Sequence, residues 1–257
     1  MGVAYGSSTI YQATKGIVQD GLVLNLDAGV KESYNGGTTW RDLEGGNNGT
    51  LTNGPTQTKG NGGEINFDGT DDWAELPNMP IFNGCNAISA GVWINFSRLH
   101  GGGGANFPVM FVYIGNIFSI ATSSFVAKDT YSVGSPATDI CKLRGQVRAP
   151  SDGAWAIVDS TRIVAADSWT YLVVTYDGSD AMRTYINAVA NSVQSTVPST
   201  TNSSSLTAAI NAYKPSSSVS LSYSGVGAIA CAHVYNRALS ATEVAQNFNV
   251  TRHRFGI

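Results

Sequence analysis

The chain has 257 residues, of which 13% are charged and 42% are hydrophobic, and its net charge is -3. This length fits one all-β domain, and 29 glycines suit many strands joined by tight turns. The 15 lysines and arginines are too few for a nucleic-acid surface, and no apolar run reaches the roughly 18 residues of a membrane-spanning helix. Three widely spaced cysteines fit neither a disulfide framework nor a zinc site, so we expect buried thiols at Cys85, Cys141 and Cys231.

The first element along the chain is a short arm, residues 1–18. It carries Tyr5, Ile10 and Tyr11 among small polar residues and lacks the basic and apolar regions of a signal peptide, which predicts synthesis in a cytoplasm. Such an arm is too short to form its own core and must pack on the domain or on a partner. We therefore expect an arm at 1–18, a single domain at 19–250 and a tail at 251–257.

Strand patterns follow, separated by Asn-Gly and Asp-Gly turn signals. The clearest has an apolar residue at every second position from Ile88 to Phe96, which places one face in a core and the other toward water. Trp93 interrupts the polar face. It could be a sugar platform, but we expect a loop or a subunit to cover it. Further strands are predicted at 109–114, 117–122, 142–149, 155–159, 169–176, 182–188 and 219–223, and a polar loop or edge at 192–205.

The end of the chain predicts a buried strand and then a helix. Residues 225–235 are small and apolar enough for a strand buried on both faces. Ser240 lies three residues before Glu243, the spacing of a capping box at the start of a helix. Val244 and Phe248 would then give that helix an apolar face.

This strand, the sequence Y-N-R-A-L-S and the capped helix resemble the closing segment of laminin-G-like (concanavalin A-like) jelly-roll domains. GLVLNLDAG at 21–29, FDGTDDWAEL at 67–76 and SWTYLVVTYDGS at 168–179 agree in the same order, so the resemblance covers the chain from about Gly21 onward. It implies an all-β fold, a two-sheet antiparallel jelly-roll sandwich with one short C-terminal helix.

Catalytic residues are difficult to find. Glycan hydrolases of this class use carboxylates on one face of a strand, whereas none of the glutamates lies in an E-x-D-x-E strand, and Asp72 and Glu75 have an odd spacing. His100, His233 and His253 have no evident catalytic partner. The sequence therefore predicts a non-catalytic protein, with a divergent polysaccharide-active enzyme as an alternative.

A calcium site is the more serious possibility. Many relatives of this domain bind such an ion, and Asp68, Asp71 and Asp72, with Asp27 from the first strand, could present hard oxygen ligands to Ca²⁺. The family's last strand commonly carries an acidic pair that is missing here, which removes one expected ligand. The Asp-Gly pair of the same segment also forms a hairpin turn without metal, so both interpretations stay open.

The opening run I-V-x-D-G-L-V-L-N-L-D-A-G and the ending Q-N-F-N-x-T-R-x-R-F-G look like those of phage-encoded laminin-G-like virion proteins. The resemblance implies a structural protein of the virion, a head decoration or fibre component, that contacts capsid or fibre proteins and possesses a lectin-type fold able to contact host glycans. A homo-oligomer, with a trimer favoured, is expected. A free carbohydrate-binding lectin or adhesin is the first alternative. Apolar residues that the core does not need are predicted to mediate assembly, namely Tyr5, Ile10, Tyr11, Phe255 and Ile257.

Overall fold

The computed structural model of the chain describes residues 16–99, 108–123, 140–151 and 153–257. These residues contain one α-helix, α1 (Ala241–Thr251), and 3₁₀ turns at Gly60–Gly62, Pro80–Phe82, Leu221–Tyr223 and Arg252–Phe255. The strands are β1 (Leu22–Asp27), β2 (Thr39–Trp40), β3 (Gly49–Thr52), β4 (Thr56–Thr58), β5 (Glu64–Asp68), β6 (Trp73–Leu76), β7 (Ala87–Arg98), β8 (Met110–Ile114), β9 (Phe118–Thr122), β10 (Ile140–Arg148), β11 (Trp155–Ala165), β12 (Thr170–Asp177), β13 (Met182–Ile186), β14 (Val189–Gln194), β15 (Ala208–Ile210) and β16 (Val226–Tyr235).

The strands form two sheets. The first has the order β14-β13-β12-β7-β16-β5-β4, with β1 also paired to β16, and the second has the order β11-β10-β9-β8-β15-β6-β3-β2. Strand β16 pairs with β7 along one edge, while β5 and β1 lie end to end along its other edge, all antiparallel. This confirms the predicted two-sheet antiparallel sandwich with one short C-terminal helix.

The main core lies between the two sheets. The alternating apolar side chains from Ile88 to Phe96 point into it, as their period of two predicts. Phe96 on β7 meets Phe111 on β8 edge to face, with ring centroids 5.1 Å apart, so these aromatic rings join the two sheets. Strand β16 supplies small and branched residues on both faces, and its buried character from Ala228 to Tyr235 confirms the prediction of a strand without a solvent face.

The outer face of β7 is not in water, which differs from the sequence expectation. The C-terminal strap, defined here as residues 241–257, crosses the outer face of the first sheet. Trp93 is fully buried beneath it and stacks on Phe255 and Phe248 at centroid distances of 4.2 and 5.7 Å. Its Nε1 donates to Thr251 Oγ1 at 2.8 Å. The chain therefore covers Trp93 itself, because a buried indole needs both apolar contacts and a hydrogen-bond acceptor.

The strap begins with the predicted capping box. Ser240 Oγ accepts from Glu243 N at 3.3 Å, and Glu243 Oε2 accepts from Ser240 N at 2.8 Å. Arg237 also pairs with the Glu243 carboxylate, and this contact is the main reason that the pKa of Glu243 falls to about 2. The helix start is therefore anchored by charge as well as by capping.

The chain ends pack on the domain more closely than the sequence indicated. Ile17 and Val18 are buried, and Val18 N donates to Asn247 Oδ1 of α1 at 2.8 Å. Phe255 is only 8% exposed and also packs on Trp169, so the prediction that it serves assembly is wrong. Its ring completes the apolar layer over the first sheet. Ile257 is 44% exposed, and its role in assembly stays a prediction.

Other predictions differ in detail. Residues 219–223, predicted as a strand, contain a 3₁₀ turn because Val219 and Leu221 pack onto an aromatic cluster outside the second sheet instead of joining a ladder. Cys141 and Cys231 are buried thiols as expected, whereas Cys85 is half-buried. Among the described residues, no helix is long and apolar enough to cross a membrane. Tyr5, Ile10, Tyr11 and His100 lie outside the described residues.

Candidate functional site

The acidic turn between β5 and β6, where the chain crosses from the first sheet to the second, brings together three carboxylates. Asp68, Asp71 and Asp72 each place an oxygen within 4.8 Å of the others. Asp68 is exposed and Asp72 is buried. The structure therefore brings together Asp68, Asp71 and Asp72, the three neighbouring carboxylates that the sequence offered as calcium ligands.

The local hydrogen bonds explain the conformation of this acidic turn. Asp68 Oδ1 accepts from Thr70 N at 2.7 Å, and this bond is the main reason that the pKa of Asp68 is lowered. Asp72 Oδ2 accepts from Asp68 N at 3.1 Å, but burial dominates and raises the pKa of Asp72. These bonds suffice for a turn, and the three carboxylates also offer the hard oxygens that Ca²⁺ prefers. A calcium site here stays a prediction.

Asp27 does not belong to that group. Its carboxylate accepts two hydrogen bonds from Arg254 of the strap, at 2.7 and 3.0 Å, and both side chains are fully buried. Along β16, Asp27 lies opposite Cys231 and Asp68 opposite Val226, a separation of five residues or about 16 Å. Asp27 is thus a structural partner of the strap, and its prediction as a calcium ligand beside Asp71 and Asp72 is corrected.

His233 lies near this ion pair, also beneath the strap. It is completely buried, and neither ring nitrogen has a hydrogen-bond partner within the described part of the chain. Burial lowers its pKa to about 4, with the nearby Arg254 charge acting in the same direction. Burial likewise raises the pKa of the Cys231 thiol. A neutral imidazole and a protonated thiol that solvent cannot reach favour a packing role for both residues.

The outer face of the second sheet has a different character. One row of paired residues crosses all five central strands of this face. It consists of Gln146 on β10, Ser119 on β9, Tyr113 on β8, Ala209 on β15 and Glu75 on β6. Two residues further along β10, Arg148 lies opposite Trp155 on β11. We define the aromatic patch as the half-buried side chains on and beside this face, namely Gln146, Arg148, Trp155, Tyr213 and Tyr223.

The rings of the patch are held in fixed orientations. Tyr213 packs edge to face on the fully buried Tyr113, with centroids 5.0 Å apart, and Tyr223 lies 4.7 Å from Tyr213. The guanidinium of Arg148 lies 5.6 Å from the Trp155 ring. The segment around the turn Leu221–Tyr223 therefore forms one side of the patch, and the edge strand β11 forms the other.

Two cations of the same face are paired with carboxylates. Arg144 donates to both carboxylate oxygens of Asp159 at 2.7 Å. Lys214 pairs with Glu75, and its Nζ lies 5.4 Å from the Trp73 ring. Sequence reasoning missed this face, because its residues come from four separate segments. The available signal was the alternation of Lys142, Arg144, Gln146 and Arg148 with the apolar side of β10.

Comparison with known proteins identifies the family. The model of the concanavalin A-like lectin/glucanases superfamily matches residues 68–245, more than half of the chain. The chain belongs to this superfamily. The match agrees with the sandwich and with the resemblance seen in the sequence. Comparison with curated proteins gives no match.

Solved structures show the same fold. Domain 4 of AbnA, a GH43 extracellular arabinanase from Geobacillus stearothermophilus, was solved with arabinotriose and is 16% identical at a TM-score of 0.59, covering 88% of this chain and 97% of that domain. Botulinum neurotoxin type C, which depends on two ganglioside molecules to enter cells, is 14% identical at a TM-score of 0.62, and the match covers 94% of this chain and 53% of the toxin chain. The binding domain of Paraclostridial Mosquitocidal Protein 1 is 15% identical at a TM-score of 0.59, and the match covers 89% of this chain and 52% of that chain. The chain thus spans about half of these toxin structures. At such identities the likeness is one of fold.

Proposed function

We propose that this protein is a non-catalytic recognition domain that contacts glycans and is carried on a phage particle. The observation that carries the glycan part is the aromatic patch, where the half-buried rings of Trp155 and Tyr213 stand beside polar side chains on the outer face of the second sheet. Such rings offer an apolar face and a polar edge, the combination that suits a sugar ring with its hydroxyl groups. The lectin-type fold and the arabinotriose bound by a relative of similar size support this proposal.

The particle setting is supported by the resemblance of the opening and closing sequences to phage-encoded virion proteins. In this proposal the protein is a head decoration or fibre component that assembles as a homo-oligomer, with a trimer favoured, and docks on capsid or fibre proteins. Because Val18 contacts α1, the segment available for such docking ends before Ile17.

Two experiments test the particle setting. Mass spectrometry of purified virions should find this chain, and its copy number should be a multiple of the number of subunits in its oligomer. Absence of the chain from virions would contradict the particle setting. Deleting residues 1–15, which leaves Ile17 and Val18 in place, should keep the β-type circular dichroism spectrum and the melting temperature but abolish incorporation. Deleting residues 1–18 serves as the comparison, and we expect it to destabilise the strap.

Glycan binding by the purified protein tests the other part. A panel of soluble polysaccharides should include at least one that binds, and failure of all of them would contradict glycan contact while leaving the particle setting intact.

A hydrolase is the second candidate, favoured by one observation. Asp68 and Asp72 lie close together with pKa values shifted in opposite directions, the arrangement that separates a nucleophile from an acid in glycosidases. Two observations argue against a hydrolase. Asp72 is only 5% exposed, and its carboxylate already accepts a hydrogen bond from the Asp68 amide, which leaves little access for a substrate. Turnover of any polysaccharide that Asp72→Asn abolishes would establish the enzyme instead.

A further inference from the structure

The aromatic patch has features that select among glycans. Gln146 Oε1 accepts from Ser119 Oγ at 3.0 Å, which holds the amide group and directs its NH₂ donors away from that bond. Trp155 begins the edge strand β11, and Tyr213 is fixed against Tyr113. Rings and an amide held in this way lose little conformational freedom on binding, so their contacts contribute more fully to affinity.

Two of the cations on this face are paired with carboxylates. Arg144 with Asp159, and Lys214 with Glu75, place a carboxylate beside each of these two cations. An anionic ligand would have to approach those carboxylates and compete with them for the cations, which costs electrostatic energy. A neutral sugar needs only donors, acceptors and an apolar face, and the patch supplies all three.

We infer that the aromatic patch binds an uncharged glycan, with Trp155 as the ring on which a sugar unit stacks and Gln146 as a hydrogen-bond donor to its hydroxyl groups. The inference rests on the proposed function and specifies its site and its ligand class.

The test uses the full chain and three soluble probes, arabinan, a neutral glucan and a polyuronate, with affinities measured by calorimetry. A neutral probe should bind, and its Kd should change by less than about twofold between about 50 and 500 mM salt, because no net charge is paired on binding. Trp155→Ala should raise that Kd by about tenfold or more, whereas Trp155→Phe keeps a stacking ring and should retain most of the affinity.

Gln146→Ala is the second variant, and it should weaken the same probe by a smaller factor without disturbing the aromatic rings. Val193→Ala is the matched control, since Val193 is 62% exposed on the edge of the first sheet. Each variant is used only with a melting temperature close to that of the parent chain. Preferential binding of the polyuronate with a steep salt dependence, or neutral binding that neither Trp155→Ala nor Gln146→Ala weakens, would overturn the inference while leaving glycan contact in place. Binding of none of the probes would overturn this inference, and failure of the wider polysaccharide panel would then also contradict glycan contact.

Discussion

The buried ion pair between Asp27 and Arg254 should dominate the attachment of the strap, and Arg254→Met tests this. The substitution keeps most of the side-chain volume but leaves the fully buried Asp27 carboxylate with the Gly29 amide, 2.8 Å from its Oδ1, as its remaining hydrogen-bond donor in the described chain. Removing one partner of such a pair costs about 3 to 5 kcal/mol. For a domain of this size that corresponds to a loss of roughly 10 °C in melting temperature.

Denaturant melts of three variants separate the causes. Arg252→Met is the matched control, because Arg252 is exposed on the same strap and lies 5.7 Å from the Phe248 ring, a contact worth about 1 kcal/mol or less. The double variant Asp27→Leu with Arg254→Met removes both charges and should be less destabilised than Arg254→Met alone. If Arg254→Met is as mild as Arg252→Met, the pair does not hold the strap.

Three further predictions concern the first sheet with its strap and the acidic turn. His233 has a folded-state pKa of about 4 against an ordinary value of 6.5, so the unfolded chain takes up the proton first as the pH falls. Above pH 6.5 the imidazole is neutral in both states, and as the pH falls toward 4 the free energy of unfolding should decrease by about 3 kcal/mol. His233→Gln should flatten this part of a stability-versus-pH curve. Ser240→Ala should cost about 1 kcal/mol and Phe255→Ala about 3 to 5 kcal/mol in denaturant melts, because the first loses one cap and the second a buried ring; the reverse order would contradict the packing of the strap. If the acidic turn binds Ca²⁺, excess Ca²⁺ should raise the melting temperature relative to chelator and Asp71→Asn should remove the difference, whereas identical curves for the parent chain would exclude a site that stabilises the fold.

The sequence predicted the sheets well because their signals are local. A period of two from Ile88 to Phe96, turn pairs between strands and a capping box at Ser240 each depend on a few neighbouring residues. What covers the outside of each sheet depends on residues far apart. Trp93 meets Phe255 across more than 150 positions, and nothing near Trp93 indicates that partner. The terminal apolar residues were therefore assigned to assembly, although the first sheet needed Phe255 to bury its own tryptophan.

The full composition of the candidate site could not be predicted from the sequence for the same reason. Asp68, Asp71 and Asp72 are near neighbours in the sequence, so the sequence groups them as the structure does, whereas it does not give the position of the strand that carries Asp27. Its pairing with Arg254 requires the strap to return across β1, a long-range contact that spacing cannot predict. The aromatic patch combines β10, β11 and the segment around Tyr213, which meet only when the second sheet is complete.

In the proposed function, the outer side of the first sheet serves attachment and the outer side of the second sheet serves recognition. Gly16 O accepts from Gln246 of α1 at 2.9 Å, so both the first described residues and the strap lie on the outer side of the first sheet. The aromatic patch lies on the outer side of the second sheet, across the main core. A partner that holds the protein by residues near either terminus would therefore leave the patch facing away from it. Cross-linking from an introduced cysteine next to Ile257 should capture a particle protein, whereas the same cysteine beside Trp155 should not, and capture from the patch side would show that this face is used for attachment instead.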